Sequence, residues 1–422
     1  MASRDPLLVE KLVPGGSGFL RRPGGEPLLV PGALPGDRVL VGREQRKAGV
    51  ARALDWELVT PSPDRVEPVC EVYSECGGCD LMALGSEAQA RAKLGLFQDA
   101  LERIGHLDAD RLPKSLTRAG PELGYRNRLR LQITANGHVG FFRKQSHELV
   151  EPRRCHVAAP EIDQALATLR KLARGTAGAL ASFAFVEIRH SEAGITFYFS
   201  LREGVQWVPV EAEALLRKLR RDHGVATSVD NDAPLERFQL SEGVFSYAAP
   251  GAFSQVNWAV NRVLVARVVD LALRVEAREF IDLYCGSGNF SLPLMAAGVP
   301  GIGVESNRAA VAAASRAARE QGLSGRFVVE DAIRYASARE REAKRFDLVL
   351  VDPPRAGVKT GLATLARISG RAIALVGCDP GTFARDLRGF MDAGFALRHL
   401  EGFDMFPQTH HLEALAWLER AE

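Results

Sequence analysis

Apolar positions change their spacing along the chain, and the changes mark three regions. Residues 5–58 carry short apolar runs broken by Pro14-Gly-Gly, Pro23-Gly-Gly, Pro31-Gly and Pro35-Gly. Turn signals at this regular spacing predict a small all-β barrel. Pro61-Ser-Pro-Asp-Arg reads as a linker. Residues 86–105 then set Ala90, Leu94, Phe97, Leu101 and Ile104 at helical spacing, with Asp99, Glu102 and Arg103 opposite, which predicts an amphipathic helix. Residues 160–245 alternate helical and strand-like runs and hold no catalytic signature. From about residue 251 the order becomes strand, glycine turn, helix, strand, the pattern of a doubly wound, Rossmann-like sheet. The predicted architecture is α/β and multidomain: a β-barrel over 1–58, a central α/β domain over 59–250 whose helix 86–105 packs on the C-terminal domain, and a doubly wound domain over 251–422.

Composition changes this picture little. The 422 residues are 46% hydrophobic and 25% charged, with a net charge of +2, so the total charge argues for no partner. No apolar run reaches membrane-spanning length and Met-Ala-Ser-Arg-Asp-Pro is not a secretory leader. These features predict a soluble cytoplasmic protein with no membrane partner. Where the charges sit matters more: between Pro113 and Cys155 there are nine Lys or Arg against three Glu. In Tyr125-Arg-Asn-Arg-Leu-Arg-Leu-Gln-Ile, strand alternation puts Arg126, Arg128 and Arg130 on one face. Arg143, Lys144, Arg153 and Arg154 follow, with Phe141 and Phe142 among them. This is either a solvated sheet face or, as the clustering favours, a phosphate-contacting surface.

Six cysteines in a chain of this length and compartment read as metal or catalytic positions, not as a disulfide framework. Cys70, Cys76 and Cys79 crowd into ten residues, and Cys155 is a remote fourth. Structural zinc usually draws on two close pairs, whereas three clustered thiolates and a distant fourth suit a [4Fe–4S] cluster. Gly77-Gly78 allows the tight wrap such a group needs. The apolar strand Arg371–Gly377 delivers Cys378 into a turn ahead of a helix, the placement of a candidate nucleophile. Cys285 is its rival, but inside a glycine turn it reads as a packed small residue.

That turn, Glu279-Phe-Ile-Asp-Leu-Tyr-Cys-Gly-Ser-Gly-Asn289, follows an apolar strand and opens a helix at Phe290–Ala297. A dinucleotide site wants a third glycine that is missing here. Asp282-x-x-x-Gly-x-Gly, with Glu305 at the end of the next strand where a ribose would present its hydroxyls, fits S-adenosylmethionine better. Asp352-Pro-Pro-Arg355 closes a further strand. Arg355 stands where amino-group methyltransferases place an aromatic residue, which argues against that chemistry.

Several of these segments resemble known families. Gly15-Gly-Ser-Gly-Phe and Leu29-Val-Pro-Gly-Ala-Leu-Pro-Gly-Asp-Arg-Val resemble the TRAM domain, an RNA-binding barrel. Phe253-Ser-Gln-Val-Asn257, Asp282-Leu-Tyr-Cys-Gly-Ser-Gly-Asn289, Asp352-Pro-Pro-Arg355, Gly377-Cys-Asp-Pro and Thr409-His-His-Leu-Glu413, in this order, resemble the RNA uracil-5-methyltransferases. The cysteine cluster and Tyr-Arg-Asn-Arg run are similar to the same family, and the likeness spans nearly the whole chain. It implies Gln255, Tyr284, Asn289, Glu305 and Asp352 as contacts to S-adenosylmethionine, with Asp331 near the adenine. It further implies Cys378 as nucleophile, Glu413 as base, and Cys70, Cys76, Cys79 and Cys155 as iron–sulfur ligands. Arg126, Arg128, Arg130, Arg143, Lys144 and Phe253 form the expected RNA-contact set. Asp80-Leu-Met-Ala-Leu departs from the family's Gln-His after the third cysteine, and Gly-Cys-Asp-Pro from its commoner Ser-Cys-Asn-Pro.

The chemistry calls for these residue types. Uracil C5 is a poor nucleophile until a thiolate adds at C6, and a carboxylate must then remove the C5 proton. The expectation is a monomeric enzyme that methylates uridine C5 in structured RNA, 23S ribosomal RNA above transfer RNA, on a base flipped out of its stack. His410 and His411 read as residues that position the Glu413 strand. A non-catalytic RNA-binding or redox-sensing iron–sulfur protein is the reading from another class, and intact Cys378 and Glu413 speak against it.

Overall fold

The runs Phe280–Leu283, Phe346–Val351 and Ser369–Gly377 are apolar almost throughout, as strands are when helices cover both faces of a parallel sheet. In the computed structural model, which describes residues 5–47, 49–176, 178–230, 235–248 and 254–421, they lie at the middle of an eight-stranded mixed sheet. Its order is Gly325–Val329, Gly301–Glu305, Phe280–Leu283, Phe346–Val351, Ser369–Gly377, Glu413–Arg420, Phe395–Phe403 and Leu116–Thr117. The first five strands run parallel. Glu413–Arg420 is antiparallel to both of its neighbours. One apolar layer, with Val349, Leu375 and Leu387, lies on one face, and a second, with Leu264, Leu350 and Trp417, on the other. The outermost strand, Leu116–Thr117, comes from far upstream of residue 251, so this sheet is not built from the C-terminal region alone.

The middle of the chain forms a second sheet, in the order Leu149–Val150, Val139–Phe142, Arg128–Ile133, Phe183–Ser191, Gly194–Leu201 and Ala226–Val229. Helices Pro160–Gly175 and Val210–His223 bury Leu166, Leu169 and Leu219 against Leu131, Val186 and Phe197 on one of its faces. At the N-terminal end, eight short strands between Leu7 and Thr60 form one three-stranded and one five-stranded sheet. These share a core of Val9, Leu20, Leu28, Val30 and Val39. The expected contact residue Phe253 lies outside the described residues.

The helix expected over 86–105 spans Ser86–Arg103, but its buried stripe is rotated from the expected one. Phe97 and Leu101 are buried as predicted, whereas Ile104 is exposed and the polar residues Gln89 and Lys93 are inside. The reason is a polar seam. Lys93 is fully buried; its Nζ donates to Asp404 Oδ1 at 2.6 Å and to the Phe406 carbonyl at 2.8 Å. Gln89 Nε2 donates to Gln408 Oε1 at 2.9 Å, and Gln89 Oε1 accepts from Gln408 N at 3.0 Å. One part of the helix packs Phe97 edge-on against Phe383. Another packs Ala88 and Leu96 with Leu12 and Leu34 of the N-terminal strands. It therefore joins two regions and holds the loop that leads into Glu413.

A buried charge deprived of its partner is strongly destabilising, whereas replacing both partners with apolar groups is often neutral. Lys93→Ala is expected to lower stability by about 3–5 kcal/mol in denaturant unfolding, and the double change Lys93→Met with Asp404→Leu to regain most of it.

Candidate active site

The carboxyl ends of the parallel strands meet at one edge, the usual place for ligand crevices in open α/β sheets. Tyr284, Glu305, Asp352 and Cys378 follow or end four of those strands. Because Glu413–Arg420 runs the other way, its first residue arrives at the same edge. Gly377 pairs with Ala414, so the next residue on one strand and the preceding one on the other, Cys378 and Glu413, stand opposite each other. A wide separation in sequence is thereby closed by one antiparallel register.

Local chemistry fixes the turn that carries Cys378. Asp379 caps helix Pro380–Asp392 by accepting from Thr382 N at 2.8 Å, and Pro380 supplies a first helical residue that needs no hydrogen bond. Thr382 Oγ1 donates to the Arg355 carbonyl at 3.0 Å, tying this turn to Asp352-Pro-Pro-Arg355. The Arg355 guanidinium hydrogen-bonds Cys378 and lies 3.5 Å from His411 Nε2. Burial, then the charges of Glu413 and Asp352, push the Cys378 thiol up to about 11, and Arg355 opposes them. Burial raises the Glu413 carboxyl well above its ordinary range, Asp352 adding to it and Arg355 opposing; burial alone lifts Asp352 to about 7. Burial, with His410 and Arg355, depresses His411 to about 4, so its ring is neutral at physiological pH. The site is acid-rich, with one guanidinium against two carboxyls and a thiol.

Beside it lies a cradle with open backbone. Tyr284 takes a left-handed φ of +67°, and Gly288 is at +90°, where an added Cβ would also meet Leu292 at 2.9 Å. The Glu305 carboxylate accepts from Gly286 N at 3.3 Å and Asn307 N at 2.8 Å. Asn289 exchanges two hydrogen bonds with the buried Asn261, at 2.8 and 3.0 Å. Gln255 is buried, and its carbonyl accepts from Asn127 Nδ2 at 2.8 Å. Asp331 is exposed and caps helix Ala332–Arg341 through Arg334 N at 2.8 Å, so part of its carboxylate is committed to the fold. Asp282, absent from the expected contact set, is fully buried and accepts a hydrogen bond from Ser291 Oγ at 2.5 Å, while its Oδ1 has no partner among the described residues. Burial lifts it to about 8. Its signal in the sequence was the acid that begins the glycine motif. Cys285 is buried, which raises its thiol well above the ordinary value, as a packing residue requires.

The four other cysteines come together near the loop that leads into Glu413. Cys70, Cys79 and Cys155 pack against one small core with Tyr125 and Val157, and burial lifts Cys79 to about 12, with the charges of Cys155, Cys76 and Cys70 adding to it. Gly78 N donates to Cys76 Sγ at 3.4 Å. Among the described residues, however, no three His, Cys, Asp or Glu side chains are set to hold a metal ion: the cysteines gather, but their sulfurs are not arranged as a ligand set.

The basic surface is less open than the alternation implied. Arg126 lies beside Cys79 and Cys155 with its guanidinium over Tyr125. Arg128 is partly buried next to the Glu187–Arg189–Glu236 ion pairs. Lys144 sits 4.4 Å over the Tyr73 ring, and Arg143 pairs with Glu75. Of the strand trio, Arg130 alone is exposed.

The profile of the family described as tRNA (Uracil-5-)-methyltransferase matches residues 215–421. The 23S rRNA (uracil(1939)-C(5))-methyltransferase RlmD of Shewanella woodyi is 31% identical over 99% of this chain and 96% of its own length. Its counterpart in Aeromonas salmonicida is 34% identical over 94% and 92%. The chain belongs to the RNA uracil-C5-methyltransferase family. A solved member, the Pyrococcus abyssi tRNA (uracil-54, C5)-methyltransferase in complex with S-adenosyl-L-homocysteine, shares 26% identity with a TM-score of 0.74, over 98% of this chain and all of that one. Family membership makes the edge that carries Cys378, Glu413 and Asp352 the candidate catalytic centre.

The raised thiol carries a prediction. In the ligand-free protein, alkylation of Cys378 by iodoacetamide, followed by peptide mass spectrometry, should be slow at pH 7–8 and accelerate toward the value of about 11 set by burial. Arg355→Ala should slow it further by removing the one opposing charge.

Proposed function

We propose that this chain transfers a methyl group from S-adenosylmethionine to C5 of a uridine in 23S ribosomal RNA. The observation that carries the reading is the register that sets Cys378 against Glu413 beside Asp352. The RlmD relatives, matched over nearly their whole length, favour ribosomal over transfer RNA. The cradle fits the donor: a strained tyrosine, two left-handed glycines, Glu305 at a strand end and an Asp282 oxygen without a partner among the described residues. Gln255, Tyr284, Asn289, Glu305 and Asp352 would hold it, with Asp331 at the adenine end. When bound, it supplies an electrophilic methyl carbon on a sulfonium.

The protein's own residues supply the rest. The Cys378 thiolate adds to C6 of the uracil, and the C5=C6 electron pair moves to C5 and O4. Arg355 favours the ionised thiol at that moment. Once C5 is methylated, the Glu413 carboxylate removes the C5 proton; those electrons restore the C5=C6 bond and the C6–S bond breaks, releasing the thiolate. A paired base could not reach a thiol seated at a sheet edge, so the uridine is bound flipped out.

The N-terminal β unit, residues 1–58, serves in this reading as an RNA-binding TRAM domain, residues 59–250 as the cluster-bearing domain and residues 251–422 as the methyltransferase. Cys70, Cys76, Cys79 and Cys155 would hold a [4Fe–4S] cluster. Their convergence and the glycines Gly77-Gly78 between them support this.

RNA carrying 5-fluorouridine at the target has no C5 proton to lose, so it should trap a covalent complex stable in denaturing gels, abolished by Cys378→Ala. No adduct from active protein, or an adduct that survives Cys378→Ala, would overturn the mechanism. Anaerobically purified protein should be brown and contain iron and sulfide in equal amounts; a colourless protein holding zinc would refute the cluster.

A further inference from the structure

The sheet that includes Arg128–Ile133 has two unlike faces. Leu129, Leu131, Val186, Ile188, Phe197 and Phe199 point into the helix-covered core. Strand alternation therefore sends Arg130, Phe142, Phe185 and Tyr198 to the other side. Among the described residues that face carries no helix. Around Glu187 and Arg189 it is buried beneath Glu236, whereas Phe185 and Tyr198 remain partly exposed, and aromatic rings left in contact with water are unexpected without a partner. Two of the three rings lie close together, while Phe142 packs edge-on against His147 at 5.2 Å. Phe185 and Tyr198 have ring centroids 6.0 Å apart, the Arg130 guanidinium stacks 3.6 Å over Phe185, and Phe142 is 37% exposed. Arg130 is exposed and has no ion pair among the described residues.

An exposed, unpaired guanidinium lying flat on an aromatic ring presents its outer face for a further planar group and its N–H groups for phosphate. Sheets that read RNA bind unpaired bases in this way, on aromatic rings and arginine planes. The location suits it. Asn127, which holds the Gln255 carbonyl at the edge of the donor cradle, is three residues before Arg130 on the same run, so the platform begins roughly 10 Å from that contact.

We propose that this face is a stacking site for unpaired nucleobases of the RNA, with Phe185, Arg130 and Tyr198 as its floor and Phe142 at its side. The proposal rests on RNA being the substrate, and the unpaired neighbours of the target uridine are the occupants. The positive charge of Arg130 selects nucleic acid over an apolar peptide.

The test is equilibrium binding, without methyl donor, of a single-stranded oligoribonucleotide containing 2-aminopurine, whose fluorescence falls on stacking. Phe185→Ala with Tyr198→Ala should weaken binding about tenfold or more and remove the quenching, with the slope of affinity against salt unchanged because no phosphate contact is lost. Arg130→Gln should weaken binding and reduce that slope by about one. Phe185→Tyr should retain quenching. If the alanine pair proves unfolded by circular dichroism, Phe185→Leu with Tyr198→Leu keeps the apolar bulk and removes only the rings. Wild-type affinity and quenching in a folded double variant would overturn the proposal, as would equal binding of the same sequence as a duplex. Turnover plays no part in these readings, so failure of the methyl-transfer reading would show separately, in the fluorouridine adduct.

Discussion

The antiparallel seating of Glu413–Arg420 against Ser369–Gly377 is the constraint on which the centre depends. A parallel strand in that place would bring its C-terminal residue to the crevice and leave Glu413 at the opposite edge. Run in reverse, it delivers its first residue there, and the pairing of Gly377 with Ala414 sets Cys378 against Glu413 without any loop having to find the position. A register slip of one residue would turn Glu413 to the other face of the sheet. The strand is buried along most of its length, with Leu415 and Trp417 on one side and Ala416 and Leu418 on the other, so a slip would misplace the apolar side chains as well. Catalytic geometry and core packing are enforced by the same pairing.

The loop before that strand is held from outside the sheet. Lys93 grips Asp404 and Phe406, Gln89 grips Gln408, Asp80 N and Leu81 N both donate to the Gln408 carbonyl, and Tyr125 Oη donates to the Pro407 carbonyl. His410 Nδ1 lies 2.6 Å from Asp80 Oδ2, and Gly16 of the N-terminal strands sits so close that a Cβ there would meet His410 Nδ1 at 2.7 Å. Asp80 directly follows Cys79. The cysteine-bearing segment and the base-bearing loop are thus one hydrogen-bonded body, which gives that segment a mechanical connection to the site whatever its sulfurs hold. Gln408, at φ +70°, is a left-handed residue that this collar keeps in place.

Much of the centre was legible because its signals are local. An apolar strand followed by a glycine turn, an acid at a strand end and a cysteine before a helix cap are all written in consecutive residues, and Glu305, Asp352 and Cys378 lie where those patterns put them. What escaped was set by contacts between distant segments. Lys93, a charged residue at the border of the predicted apolar stripe, carries no signal of burial in the sequence and is buried because Asp404 and Phe406 meet it. Arg126 reads as one of three arginines on a strand face, yet the strand begins at Arg128, and Arg126 turns instead toward Tyr125 and the cysteines. Phe185 and Tyr198 lie in the region that reads as alternating helical and strand-like runs; a bulge between Phe183 and Phe185 puts Phe185 on the opposite side from Phe183, and sequence alternation alone cannot place it.

Electrostatics explains why so acidic a centre can use a thiolate. Without ligands, burial holds Cys378, Glu413 and Asp352 toward their protonated forms, neighbouring carboxyls add to it for Cys378 and Glu413, and Arg355 opposes it for those two. A sulfonium bound beside Asp352, as the proposed mechanism has it, would add a second positive charge at close range in a poorly solvated site, where Coulombic effects are large. Each favours the ionised carboxyl and thiol. Donor binding and nucleophile activation are then linked, since whatever lowers the thiol's pKa on donor binding must equally tighten donor binding when the thiol is ionised. In the proposed mechanism, an acid-rich site with a single guanidinium would favour the thiol when empty and the thiolate when the charged donor is seated.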